Sequence, residues 1–352
     1  MVFRAKNAKH GDKAGECCLL NVECFLDFCK TVNLQHSTLN SKETLAKQNC
    51  RLSESHSILQ IRLISLRLTM KLIECPRDAM QGLETFISTD TKARYINQLL
   101  KVGFHTIDFG SFVSPKVIPQ MRDTSAVLEK ISLDESKTKL LAIVANTRGA
   151  FDACQHDAIS YVGFPLSVSE TFQIRNTNKT IGEALNVLEE IKNLCDKSKK
   201  KLVTYISMGF GNPYNDPYDA DLVVGFVDVL KTLGSNVISI ADTIGASTAA
   251  SINTLFALIT KNYPDLEIGA HLHSTPHTAS EKIEAAFDSG CKRFDGAILG
   301  FGGCPMADDD LVGNLATEKI IDYLESRGVK SEINFPELGK AIQMAGEIFP
   351  IH

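Results

Sequence analysis

The sequence predicts an α/β fold, a (β/α)8 TIM barrel with a poorly patterned N-terminal extension and an appended C-terminal helix. Three observations predict it. From residue 71 onward, short β-rich runs alternate with helical stretches of roughly ten to fifteen residues, the rhythm of βα units around a parallel sheet. Eight such units spread over about 250 residues, the usual size of this barrel. No G-x-G-x-x-G follows the first run, where a doubly wound nucleotide-binding sheet commonly carries one.

The expected strands are Lys71–Glu74, Thr106–Phe109, Leu140–Val144, Ile159–Gly163, Leu202–Ser207, Val237–Ala241, Glu267–His271 and Arg293–Ala297. Between them the spacing predicts helices over Thr89–Leu100, Ile181–Leu194, Asp219–Leu233, Thr248–Thr260 and Ala279–Asp288. Several end in glycine just before the next strand, at Gly103, Gly234 and Gly290, where a left-handed cap carries no Cβ penalty. A last helix is expected near Pro336–Ala345.

Residues 1–69 differ in character. They carry a net charge of +4 against −9 for the rest, and show no strand-turn-helix rhythm. They have no signal-peptide layout, and their scattered acids fit a mitochondrial transit peptide poorly. The expectation is a loosely ordered extension (1–69) before a catalytic domain (70–352), with a short helix or strand over Ile58–Met70 or a chain start at Met70 as alternatives. The formal net charge of −5 offers no basic face for nucleic acid or membrane surfaces. No run approaches the roughly 20 apolar residues of a spanning helix. Ten cysteines without a C-x-x-C pair indicate a reducing compartment, and the ending Pro350-Ile351-His352 is no peroxisomal signal, so a cytoplasmic location is expected.

In such barrels chemistry sits at the C-terminal ends of the strands. Unusual polar residues gather there: Arg77 and Asp78 after strand 1, Asp108 in strand 2, Asp242 after strand 6, His271 and His273 in strand 7, and the Gly300–Asn314 loop after strand 8. Residues two apart on a strand face the same way, so His271 and His273 can share one metal ion, or be ordinary polar residues at a strand end. Asp78 offers the hard oxygen that magnesium or manganese prefers. Asn314 is either a neutral oxygen ligand or the N-cap of the next helix. Arg77 suits a developing enolate, and equally a salt bridge to Asp78 or Asp108. Cys304, in Gly302-Gly303-Cys304-Pro305, is read from its loop alone as a small buried side chain.

From Lys71 to Ile342 the chain resembles the 3-hydroxy-3-methylglutaryl-CoA lyase family. The resemblance rests on Pro76-Arg77-Asp78-Ala79-Met80-Gln81, Ser111-Phe112-Val113-Ser114-Pro115-Lys116, Ala241-Asp242-Thr243-Ile244-Gly245, His271-Leu272-His273, and Gly302-Gly303-Cys304-Pro305 continuing to Gly313-Asn314-Leu315-Ala316-Thr317. It implies a divalent-metal-dependent carbon–carbon lyase that splits 3-hydroxy-3-methylglutaryl-CoA into acetyl-CoA and acetoacetate, as in leucine catabolism and ketone-body metabolism. By the same resemblance, Asp78, His271, His273 and Asn314 hold Mg2+ or Mn2+, and Arg77 stabilises the enolate. Cys304 is the loop catalytic cysteine, with His271 and Asp242 near the proton transfers and Gln81, Asp108 and Ser111 lining the substrate pocket. The implied partner is an acyl-CoA, and the implied assembly a homo-oligomer, dimer or tetramer. The chain departs from the family at Ser274, where an acid usually follows His-x-His, and at Asp108, where many members have Glu. The alternatives are a related barrel enzyme acting on another hydroxyacyl-CoA and a Claisen-type condensing synthase.

Overall fold

The computed structural model describes residues 70–133, 136–303 and 312–349. The expectations for residues 1–69 and for Cys304 lie outside the described residues.

Eight parallel strands close into a barrel. They are β1 (Lys71–Glu74), β2 (Thr106–Ser111), β3 (Lys139–Ile143), β4 (Ile159–Ser167), β5 (Lys201–Ser207), β6 (Val237–Asp242), β7 (Glu267–Ser274) and β8 (Arg293–Gly296). Each pairs with its neighbours in sequence, β8 pairs with β1, and β6 with β7, so the sheet has no free edge around the ring. All eight lie where the sequence places them, within a few residues at the ends. The largest extension is β4, which runs to Ser167.

The helices in chain order are α1 (Pro76–Gln81), α2 (Thr89–Leu100), α3 (Thr124–Leu128), α4 (Thr147–Cys154), α5 (Glu170–Thr177), α6 (Ile181–Lys197), α7 (Ala220–Thr232), α8 (Ala249–Asn262), α9 (Ala279–Asp288), α10 (Thr317–Ser326) and α11 (Phe335–Ile348). Their starts are chemically marked. Thr180 accepts from the Glu183 amide while Glu183 reaches back to the Thr180 amide, a reciprocal capping box. Asp219 caps α7 through the Leu222 amide at 2.7 Å. At two of the helix ends, Gly103 and Gly290 turn the chain with φ of +92° and +90°, as their positions before β2 and β8 predict.

Because side chains alternate along a strand, the register sorts the barrel interior into two halves. On the β3–β5 side, Leu141, Ile143, Tyr161, Val203 and Tyr205 pack with Val237 as a buried apolar cluster, against which Val113 leans. On the β7–β8–β1 side the interior is ionic. Lys71, Glu267, Arg293, Asp295 and His271 line it, and Arg293 is fully enclosed at 0% exposure.

Candidate metal centre

Arg77, Asp78 and Gln81 reach the barrel mouth because Cys75-Pro76 ends β1 and opens α1 at once. Proline at the first helical position fits a turn whose N–H is unpaired anyway. Asp108 faces the same mouth from β2. There the β2–β3 register slips between Asp108 and Gly110, a bulge packed so tightly that a Cβ at Gly110 would lie 2.6 Å from the Thr124 methyl group.

Arg77 is held on three sides. Its Nε and Nη2 donate to Asp108 Oδ2 at 3.0 and 2.5 Å, and Nη1 donates to Asp78 Oδ1 and Gln81 Oε1, both at 2.9 Å. Gln81 Nε2 in turn donates to Asp78 Oδ1 at 2.8 Å. The sequence left open a salt bridge to Asp78 or to Asp108; the structure has both. Burial opposes charge on Arg77, yet the two carboxylates raise its pKa further, so the guanidinium stays cationic.

His271 and His273 lie on β7 with ring centroids 5.5 Å apart. Each uses Nδ1 to reach away from the site. His273 Nδ1 lies 3.1 Å from the Thr243 carbonyl, and His271 Nδ1 lies 3.3 Å from Asp295 Oδ2. A carbonyl and a carboxylate can only accept, so both Nδ1 atoms carry the proton, and in the neutral ring each Nε2 presents a lone pair. His273 Nε2 is buried with no hydrogen-bond partner among the described residues. Such an atom needs an electrophile to face.

The Asp78 carboxylate supplies the setting for one. One ligand atom each from Asp78, His271 and His273 lie within 4.8 Å of one another. Asn314 Nδ2 donates to Asp78 Oδ2 at 2.7 Å and to the Phe301 carbonyl at 2.9 Å, which leaves its Oδ1 as the donor to offer a cation. This overturns the capping alternative for Asn314. The next helix, α10, is capped by Ala316, and Asn314 sits on a two-residue strand, β9 (Gly313–Asn314), paired antiparallel to β7 directly opposite His273. Gly302 presses on the same group: a Cβ there would lie 2.9 Å from Asn314 Nδ2 and from the Asp78 carbonyl. Two imidazoles, a carboxylate and an amide oxygen are a mixed set that accommodates a divalent cation such as magnesium or manganese.

The electrostatics separate the two histidines. Burial and the neighbouring His271 push the His273 imidazole down to about 4, so it stays neutral at pH 7. Burial alone would lower His271 too, but its bond to Asp295 and the nearby carboxylates outweigh this and raise it. Asp78 is held below the usual carboxylate range: burial works against ionisation, and Arg77 and the histidines overcome it.

Asp242 ends β6 beside this group but is itself occupied. Ser247 Oγ donates to its Oδ2 at 2.5 Å and Lys282 Nζ donates to the same atom at 2.8 Å. Lys282 also donates to the His273 carbonyl at 2.8 Å, tying β7 to the β6 loop. Ser111 is buried at the end of β2 and lines a cavity of about 490 Å³ with Arg122, Asn146, Arg148 and Lys179. Four residues that shape the site escaped the sequence reading: Glu74, Lys282, Arg293 and Asp295. Glu74 accepts from the Ile298 amide at 2.9 Å and from Thr317 Oγ1 at 2.6 Å, joining β1 to the segment after β8, and burial raises its pKa to about 8. For Glu74, Arg293 and Asp295 the available signal was a charged position inside a strand predicted as buried; Lys282, in α9, carried none.

A family model described as HMGL-like matches residues 71–344. The chain belongs to the HMGL-like family. Over 272 residues it is 34% identical to a hydroxymethylglutaryl-CoA lyase of Bacillus subtilis, covering 77% of this chain and 90% of that protein. It is 29% identical to a 3-hydroxy-3-isohexenylglutaryl-CoA/hydroxymethylglutaryl-CoA lyase of Pseudomonas aeruginosa over 80% of this chain and 93% of that one. Among solved structures, an HMG-CoA lyase from Acinetobacter baumannii in complex with coenzyme A and 3-methylmalate superposes with a TM-score of 0.75 at 28% identity, covering 81% of this chain and 92% of that one.

Proposed function

We propose that this HMGL-like protein is a divalent-metal-dependent lyase that cleaves 3-hydroxy-3-methylglutaryl-CoA into acetyl-CoA and acetoacetate. One observation carries the reading: two imidazoles with Nδ1 tied back and Nε2 bare converge on Asp78 and Asn314, beside a guanidinium already fixed in place. Asp78, His271, His273 and Asn314 are the residues that would hold Mg2+ or Mn2+. Such an ion would supply Lewis acidity that lowers the pKa of a chelated tertiary alcohol.

The remaining chemistry belongs to the chain. The substrate hydroxyl gives up its proton to a base, which the resemblance places near His271 and Asp242. The bond between the carbinol carbon and the thioester's α-carbon breaks, and the electron pair passes to the thioester as an enolate while the carbinol carbon becomes the ketone of acetoacetate. The proton released is balanced by the one returned to the enolate carbon. Arg77, locked by Asp108, Asp78 and Gln81, presents its fixed charge to the enolate oxygen without reorganising. Proton return to the enolate carbon falls to Cys304, the residue that the resemblance assigns. Asp242 acts at one remove, since Ser247 and Lys282 already hold its carboxylate and the adjacent Thr243 carbonyl orients His273.

The cavity beside Ser111 suits the anionic part of an acyl-CoA, because Arg122, Arg148 and Lys179 line it. We propose a homo-oligomer located in the cytoplasm, by likeness to the bacterial relatives. Among the described residues no helix is long and apolar enough to cross a membrane. The purified protein with Mg2+ or Mn2+ is expected to release acetoacetate from 3-hydroxy-3-methylglutaryl-CoA, and chelator to abolish this. Cleavage of a longer-chain 3-hydroxyglutaryl-CoA with no turnover of the methyl substrate would overturn the substrate assignment.

A further inference from the structure

The ionic half of the barrel contains more charge than the centre at its mouth uses. Arg293 enters the interior from β8 at 0% exposure, and none of its three guanidinium nitrogens has a hydrogen-bond partner among the described residues. Its Nε lies 3.3 Å from Asp295 Oδ1, an ion contact off the hydrogen-bonding direction, and Nη1 lies 3.7 Å from Glu267 Oε1. Glu267 is anchored from the other side by Lys71 Nζ at 2.5 Å. The interior makes room for this residue: Gly269 pairs with Arg293 in the β7–β8 register, and a Cβ on it would lie 2.8 Å from Arg293 Cδ.

A buried ion pair contributes little net stability compared with apolar side chains of the same volume, so stability alone does not account for the arrangement. Its other end explains it better. Asp295 pairs with His271 in the same register, and its Oδ2 takes His271 Nδ1 at 3.3 Å while Ser239 Oγ donates to that oxygen at 3.3 Å. One carboxylate oxygen thus lies in ion contact with Arg293, without a hydrogen bond, and the other is aimed at the histidine.

We propose that Asp295, whose charge Arg293 balances, is a positioning residue for the metal centre, fixing the His271 ring and the tautomer whose Nε2 faces the cation. This rests on the metal reading of Asp78, His271, His273 and Asn314. The two histidines are then supported differently: His273 by a backbone carbonyl that no substitution removes, His271 by a side-chain pair built from two residues of β8. Carboxylate support behind a ligating imidazole typically changes metal affinity by about 10- to 100-fold.

The test is Mn2+ binding by calorimetry on the full-length chain, with thermal unfolding and 15N-histidine spectra as parallel readouts. Asp295→Asn is expected to weaken Mn2+ binding by about 10-fold or more and to shift the His271 resonances away from the pattern of an Nδ1-protonated ring. Arg293→Met leaves Asp295 buried without its cation and is liable to misfold. The double variant Arg293→Met/Asp295→Asn removes both charges; it is expected to fold and still to bind Mn2+ weakly. Arg293→Lys should recover part of the affinity. Wild-type affinity in the double variant would overturn the proposal. So would an equal loss in Cys75→Ser, because Cys75, His271 and Asp295 also have ligand atoms within 4.8 Å and Asp295 would then be a ligand itself. If the wild-type chain takes up no Mn2+, the metal reading falls and this inference with it; wild-type binding with unchanged Asp295→Asn binding sinks the inference alone.

Discussion

The two halves of the barrel interior follow opposite rules. Around β3 to β5, Leu141, Ile143, Tyr161, Val203 and Tyr205 pack on one another and hold the ring together by burial. Around β7, β8 and β1, the same inward positions carry His271, Arg293, Asp295 and Lys71, and the wall continues upward into Arg77, Asp78 and His273. Buried charge is costly unless compensated, and here each charged group faces an opposite one. The comparison teaches that the apolar half supplies the cohesion that lets the other half be assembled for chemistry.

If this division is right, substitutions in the two halves should fail in different ways. The largest effect is expected at Arg77. Arg77→Met removes the group facing the enolate and should lower kcat by at least about 100- to 1,000-fold, the loss typical of a single oxyanion donor. Mn2+ affinity measured by calorimetry should change far less. Equal loss of both would make Arg77 a structural brace for Asp78, since its Nη1 bonds that carboxylate.

On the apolar side, Leu141→Ala empties part of a fully buried cluster and should cost about 2 to 5 kcal/mol of stability, read from denaturant midpoints. Below its Tm the variant should keep the kcat and metal affinity of the parent. A large drop in kcat would show that the two halves are mechanically coupled.

The sequence was legible where chemistry and periodicity are local. His271 and His273 advertise themselves because a strand repeats every two residues, and Arg77-Asp78 because they follow a strand directly. It was illegible where a residue's meaning depends on a partner far along the chain. Asn314 looks like a helix cap three residues before α10, and only its pairing with His273 across β7 and β9 shows which face it serves. Arg293 and Asp295 read as part of an ordinary strand, since nothing in residues 293–297 announces that Gly269, 24 positions earlier, leaves room for the Arg293 side chain. Glu74 is the same case: its partners Ile298 and Thr317 lie at the other end of the domain.

Glu74, on the outward face of β1 against Thr317 of α10, gives the wall behind the ionic half a pH signature between pH 5 and 8. Burial raises its pKa from 4.5 to about 8, so between those values the folded chain keeps a proton that the unfolded chain has released. Stability should therefore fall as pH rises through that window and level off above it. Glu74→Gln keeps the shape and has no proton to lose, so its Tm, measured against that of the parent, should gain steadily from pH 5 to pH 8. Parallel Tm curves for the two proteins across the range would mean that the carboxylate is ionised in the fold.

The smallest expected effect lies outside both halves, at the cavity beside Ser111. Arg148 is exposed and its Nε contacts Asp152 at 3.1 Å, a surface pair one helical turn apart that is worth little to stability. Lys179 lines the same cavity from the turn before α6. If these cations meet the phosphates of an acyl-CoA, Arg148→Ala and Lys179→Ala should each raise KM several-fold, with kcat and Tm unchanged, and the effect should shrink at high salt because exposed charges are screened within about 10 Å at 0.1 M ionic strength. An unchanged KM in the double variant at low salt would move the acyl-CoA to another side of the mouth, while the metal centre and the division of the barrel into two halves would stand.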